Sequence, residues 1–358
     1  MALCKRRKKQ DSTGLIGLVV LASTLGGLKL ITDRIVRRAE KRYPPMGDFV
    51  TFDGVRLHYV SRGSGRPVVL IHGDGGSVCD WTMSIFDRLA EDYRVIAFDR
   101  PGLGYSERPE DGGSPFVQAD VIHRALEILD VEQPILVGHS RGGNVALAYG
   151  LVYPGDVVGL VTLAPAPYGV PVPPLIRSLS IPLVGPLLAH TVYVPFGRNG
   201  VEAGLETAFA PEGPPPPDYL DVYAAYELRP RQLLAHAHDH VRGRESADAM
   251  AERYAALRVP LVVVHGTADR NVPVEQARRL HHAAPRSRLI EIEGAGHEVM
   301  FLHPEVVLDA LEQVSMGKSQ IPHKRWGCGG NGPGFSLRKP RRFAPERFAP
   351  GGFMMGGV

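Results

Sequence analysis

The sequence predicts an α/β protein: a doubly wound, mostly parallel sheet with a helical insertion and appended ends. Three observations predict it. Short runs of three or four Val, Ile and Leu residues alternate with helix-length amphipathic segments from Asp48 to Val314. Such continuous apolar runs are the mark of parallel strands covered on both faces. The first two strands are instead joined by Asp53-Gly54, a tight-hairpin dipeptide, so the sheet opens on an antiparallel edge. Finally, the alternation stops between Pro165 and Leu257, where prolines are frequent and Pro214 to Pro217 stand in a row.

The elements follow in order. Phe49 to Phe52 and Val55 to Val60 form the hairpin, and Val68-Val69-Leu70-Ile71 is a buried strand. A helix is expected over Trp81 to Leu89, a strand over Val95 to Phe98 and a helix over Val121 to Leu129. Ile135-Leu136-Val137 is a strand that leads into a helix of small residues, Gly142 to Leu151, and Val157 to Leu163 is the next strand. After the interruption come strand Leu261 to Val264, a helix near Val274 to Ala283, strand Leu289 to Ile292 and helix Pro304 to Val314. Within the interruption, Tyr219 to Tyr226 and Arg231 to His240 look helical. A long insertion at the carboxyl edge of a parallel sheet lies where ligands bind, so residues 166–257 are expected to cap a site. Residues 43–165 and 258–314 form the core.

The ends differ from the body in charge. Residues 1–42 hold 11 Lys and Arg against 3 acids, and residues 315–358 hold 8 against 1, leaving a body of net charge −12. An acidic body excludes a nucleic-acid-binding core. Lys5 to Lys9 precede an apolar run from Gly14 to Leu28, extending to Ile31 if Lys29 snorkels. Some 18 residues is the lower limit for a spanning helix. Membrane association through residues 14–31 is therefore expected, as a single-pass N-terminal anchor. A signal peptide shares the charged start and would make the protein secreted or periplasmic, but no small-x-small cleavage site follows the run. Basic clusters on both sides leave the orientation open. The Gly, Pro, Arg and Phe-rich tail, residues 315–358, with its echoed Arg-Phe-Ala-Pro, is expected to be disordered. Cys4, Cys79 and Cys328 have no metal or disulfide spacing.

Gly138-His139-Ser140-Arg141-Gly142-Gly143 lies between a strand and a helix. A G-x-S-x-G turn in that position projects a strained serine hydroxyl, and only small residues let strand and helix approach so closely. Ser140 is the candidate nucleophile. It needs a base, and the base an orienting carboxylate, in the chain order Ser, acid, His. His297, on the Gly294-Ala295-Gly296 loop after the last strand, is the candidate base, and Asp269, at the end of strand Leu261–Val264, the candidate acid. The other place for an acid, after Leu163, reads Ala-Pro-Ala-Pro and holds no carboxylate. His281 and His282 fall on a helix and His323 in the tail. The cap's His236, His238 and His240 lack a metallo-hydrolase spacing and are expected to be solvated, with no metal and no cofactor.

With His72-Gly73-Asp74-Gly75-Gly76, Trp81 and Asp99-Arg100-Pro101-Gly102-Leu103-Gly104-Tyr105-Ser106, these residues resemble the α/β-hydrolase superfamily over about residues 48–314. The resemblance implies an oxyanion hole made by the backbone N–H groups of Asp74 and Arg141. Superfamily members with related caps but an aspartate nucleophile act as epoxide hydrolases and dehalogenases, whereas Ser140 favours attack on an ester or similar acyl carbon; the apolar, proline-rich cap and the apolar N-terminal run suggest that the small-molecule acyl substrate is hydrophobic. C–C hydrolases, haloperoxidase-like enzymes and acyltransferases share the triad. A non-catalytic interaction protein on this fold is the reading from another class, against which the intact Ser, Asp and His weigh. One residue is out of place: Asp74 puts a carboxylate beside a hole for negative charge, and Arg141 is expected to neutralise it.

Overall fold

The computed structural model describes residues 2–316 and 326–327, with side chains for 14–316. Eight strands carry the sheet: β1 (Asp48–Phe52), β2 (Val55–Arg62), β3 (Pro67–Ile71), β4 (Arg94–Phe98), β5 (Ile135–His139), β6 (Gly159–Leu163), β7 (Leu261–Gly266) and β8 (Ser287–Glu293). Their spatial order is β1-β2-β4-β3-β5-β6-β7-β8. β1 and β2 pair antiparallel, as do β2 and β4, and every later pairing is parallel. Trp326 and Gly327 add a short parallel pairing, β9, outside β8. Asp53 and Gly54, at φ 47° and 76°, make the left-handed turn that the hairpin dipeptide predicts.

Two apolar layers sandwich the sheet. Alternate strand residues point to each: Val68, Leu70, Val95, Val137 and Val161 face one cluster, and Val69, Ile71, Ile96, Leu136 and Leu160 the other. The chain runs from β3 outward to β4, then returns past β3 to β5 and proceeds the other way. The reversal opens a crevice between the carboxyl ends of β3 and β5, the place where sheets of this topology bind ligands.

Two helices of the core depart from the sequence reading, and the insertion helix expected over Arg231 to His240 runs on to Ala251. The single helix expected over Trp81 to Leu89 is two short ones, Val78–Thr82 and Phe86–Leu89. The first starts early because Ser77 and Asp80 form a capping box. It stops because the Ser84 hydroxyl takes the Asp80 and Trp81 carbonyls. The helix before β5 begins at Pro115, six residues ahead of expectation, since proline suits a first turn. The insertion between β6 and β7 is helical, and its longest helix is Pro230–Ala251.

One unbroken helix spans Ala2–Arg42. Its apolar stretch is long and apolar enough to cross a membrane, a property a signal sequence shares. Its last turns belong to the body: Thr32 is fully buried and donates to the His190 carbonyl. The tail expected to be disordered lies, apart from residues 315–316 and 326–327, outside the described residues.

Candidate active site

Ser140 sits at the turn from β5 into the helix Arg141–Val152 with φ 51° and ψ −118°, a conformation an L-residue holds only under strain. Small neighbours permit it. A Cβ on Gly142 would collide with the Ile71 carbonyl at the end of β3, and one on Gly138 with the Gly142 carbonyl. Across the crevice, the loop after β3 brings Gly73 so near that a Cβ there would lie 3.2 Å from Ser140 Cβ and 3.0 Å from His139 Nδ1.

His297 Nδ1 donates to Asp269 Oδ2 at 2.7 Å. The other carboxylate oxygen, Oδ1, accepts the backbone N–H groups of Asn271 and Val272 at 2.8 and 2.9 Å. Burial alone would raise the Asp269 carboxyl. Hydrogen bonds from His265 and His297 outweigh it and hold the group below the ordinary carboxylate range. An ionised Asp269 fixes the His297 tautomer, leaving Nε2 as the free acceptor. His139 lies beside His297, ring centroids 4.8 Å apart, and burial followed by the His297 charge pushes it down to about 3. Burial, and after it the nearby charges of Asp80 and Asp269, raise the carboxyl of the neighbouring Glu298 well above its ordinary range.

The cap helps to hold the His297 loop. The His297 backbone N–H donates to the Ala208 carbonyl at 3.1 Å, and that of Gly296 to Glu212 Oε2 at 2.7 Å. A Cβ on Gly296 would strike the Ala210 carbonyl, so this glycine is a close-approach position.

The cap grips the β3 loop as well. Tyr223 Oη donates to the Asp74 carbonyl, and Gln232 Nε2 to those of Gly75 and Gly76. Fully buried Arg100 donates to the carbonyls of His72 and Gly73 and to cap residue Asp239, which also pairs with Arg108. The Asp74 carboxylate is held by Arg141 Nε at 2.5 Å, as the sequence suggests, and also by His240 Nε2 at 3.1 Å and Arg100 Nη2 at 3.6 Å. Burial opposes its ionisation, but Arg141 and then His240 overcome that and keep the carboxyl well below its ordinary range. Among the described residues the Asp74 backbone N–H donates to no protein acceptor. That of Arg141 is in a first helical turn, where N–H groups have no intrahelical partner.

Two histidines expected in solvent are not there. His236 and His240 are largely buried over this loop, their donor atoms clustering with Asp74 within 4.8 Å. His236 Nδ1 donates to Glu227 Oε1 at 2.7 Å. Burial works against its charge, yet the carboxylate raises it to about 9. The expectation of solvation overlooked spacing: Gln232, His236 and His240 are four residues apart and share the helix face that meets the β3 loop. His238 points elsewhere, into a side cavity of about 270 Å³ shared with Arg108, Ser180 and Arg242. His265 was also missed. It is the last residue but one of β7, is fully buried, and places Nε2 3.2 Å from Asp269 Oδ2 and 2.9 Å from the Val272 carbonyl.

Comparison with known proteins agrees with this layout. The alpha/beta hydrolase fold profile matches residues 66–304. A 2-hydroxymuconate semialdehyde hydrolase of Pseudomonas sp. (strain CF600) is 30% identical over 281 residues, covering 74% of this chain and 92% of that protein. A non-heme chloroperoxidase of Streptomyces lividans is 29% identical over 273 residues, 73% and 96% of the two chains. The solved structure of a serine hydrolase involved in carbazole degradation is 25% identical with a TM-score of 0.63, covering 76% of this chain and 98% of that one. The chain therefore belongs to the alpha/beta hydrolase fold family.

Proposed function

We propose that the protein is a serine hydrolase that cleaves an acyl bond, a carboxylic ester, through an acyl-enzyme. The observation that carries this reading is the strained Ser140 turn in the β3/β5 crevice together with the 2.7 Å His297–Asp269 hydrogen bond. In this reading His297 Nε2 takes the proton of Ser140 Oγ as Oγ attacks the acyl carbon. The N–H groups of Asp74 and Arg141 hold the oxyanion, each contributing about 3 kcal/mol. His297 then gives the proton to the departing alkoxide. A water, deprotonated by His297, releases the acid and restores Ser140. The apolar cap and the apolar helix of residues 14–31 favour a hydrophobic acyl substrate and an N-terminal membrane anchor.

A C–C bond hydrolase is the second reading, favoured by the 30% identical relative named as a 2-hydroxymuconate semialdehyde hydrolase. A screen of p-nitrophenyl esters of rising chain length separates the two. Turnover rising with acyl length supports the ester reading. Failure on every ester, with cleavage of a vinylogous dicarbonyl compound, overturns it. Location is tested by fractionation: the full chain should pellet with membranes, whereas full-length protein in the supernatant contradicts the anchor. Truncation belongs after Ile31, because Thr32 is packed against the cap.

A further inference from the structure

We infer that the cap segment 174–196 is a second membrane contact, seated in one leaflet beside the point where the N-terminal helix leaves the bilayer. The inference rests on the anchor reading of residues 14–31. Among the described residues outside that stretch, eleven large apolar side chains are exposed, and seven of them fall in this one segment. Leu183 is 87% exposed, Phe196 70% and Leu175 64%. A scattered exposed leucine needs no explanation, but a concentration on one short segment marks an interaction surface. Leu183 is also held at φ 66°, a strained conformation that presents an apolar side chain outward. The inward neighbours Leu179, Ala189 and Val194 pack with Leu233 and Ala237 of the long cap helix, so the outward face is not a mispacked core.

The occupant follows from position and charge. The helix Ala2–Arg42 meets the body at this segment: Thr32 Oγ1 donates to the His190 carbonyl at 2.6 Å, and Ile35 packs on the Leu179–Ala189–Val194 cluster. The turn before this contact is Leu30 and Ile31, both exposed and apolar, so a helix that leaves a bilayer at residue 31 brings segment 174–196 to its surface. No acidic residue occurs from Val157 to Val201, although the body as a whole is acidic. Arg177 and the exposed Arg34, Arg37 and Arg38 bring positive charge to the same region, as a contact with anionic phospholipid requires, whereas Arg198 is paired with Asp221. Apolar side chains in the acyl boundary with arginines at headgroup level are how interfacial segments bind. A water-soluble partner or a second copy of the chain would require the spanning helix beside it to be accommodated as well.

The test uses the full chain in vesicles of phosphatidylcholine and phosphatidylglycerol whose acyl chains carry bromine, which quenches nearby tryptophan. Three single variants are compared with the parent chain: Phe196→Trp in the patch, Leu18→Trp in the anchor and Ile128→Trp, an exposed apolar position far along the chain on the helix Pro115–Ile128. Quenching of Phe196→Trp and Leu18→Trp, with none of Ile128→Trp, is expected. Quenching of Leu18→Trp alone overturns the inference and leaves the anchor standing. Absence at both positions overturns the anchor reading and this inference with it. Leu187→Trp provides a second patch position should Phe196→Trp fail to fold.

Discussion

Asp74 should be harmless to the oxyanion only while Arg141 is paired with it, and the consequence of breaking that pair can be worked out. Arg141→Met removes the donor 2.5 Å from Asp74 Oδ1 and leaves a largely buried carboxylate. Unit charges at 4 Å interact by about 4 kcal/mol at an effective dielectric near 20. An oxyanion roughly twice as far away would be opposed by about 2 kcal/mol, or roughly 30-fold in rate. Arg100, 3.6 Å from Asp74, absorbs part of that. His240 contributes little in mildly alkaline buffer, because burial lowers its affinity for a proton. A net loss of about tenfold in kcat/KM at pH 8 is therefore expected. Adding Asp74→Asn should recover most of it, giving a coupling of about 1 kcal/mol in a double-mutant cycle read by ester hydrolysis at low salt. Circular dichroism melts of each variant separate this from unfolding. Additive losses in the double variant would refute the reasoning, since they mean that the Asp74 charge is not felt at the reacting centre.

Three more outcomes follow from the site. Asp269→Asn should keep the fold and cost about 10³–10⁴ in kcat, since the amide holds His297 in the wrong tautomer; a near-native rate would place the acid elsewhere. The Glu227–His236 pair should make stability pH-dependent. His236 is raised from 6.5 to about 9, so its contribution is complete below pH 6.5 and fades as pH rises through 9. Thermal melts should show this component, up to about 3 kcal/mol, vanish in Glu227→Gln, and an unchanged pH profile would count against it. Gly142→Ala should destabilise the fold by several kcal/mol in urea titrations, because its Cβ meets the rigid Ile71 carbonyl; a loss under about 0.5 kcal/mol would show that the turn can relax.

Most of the sheet was legible because parallel strands write themselves as continuous apolar runs. Val68 to Ile71 and Leu261 to Val264 need no partner to be recognised. The strand order was not legible, since nothing local in β4 says that it lies outside β3. The positions of Ser140, Asp269 and His297 could be named from turns that only glycines and a few polar residues tolerate. What escaped was the work of the cap. Glu212, Ala208 and Gln232 act by reaching residues 84 to 157 positions away, and no motif records such contacts. His236 and His240 were half legible, for their four-residue spacing put them on one face. The reason for that face to turn inward lies in partners outside the helix: Asp74 for His240 and Glu227 for His236.

The proposed nucleophile is tested most directly by labelling the purified full chain with a fluorophosphonate and mapping the adduct by mass spectrometry. One phosphonyl group per chain, on Ser140, is expected, with no adduct in Ser140→Ala and a much slower reaction in Asp269→Asn. Ser140→Ala should also lose on the order of 10⁴–10⁶ in turnover. An adduct on another residue, or ester hydrolysis surviving in Ser140→Ala at the wild-type rate, would contradict the account.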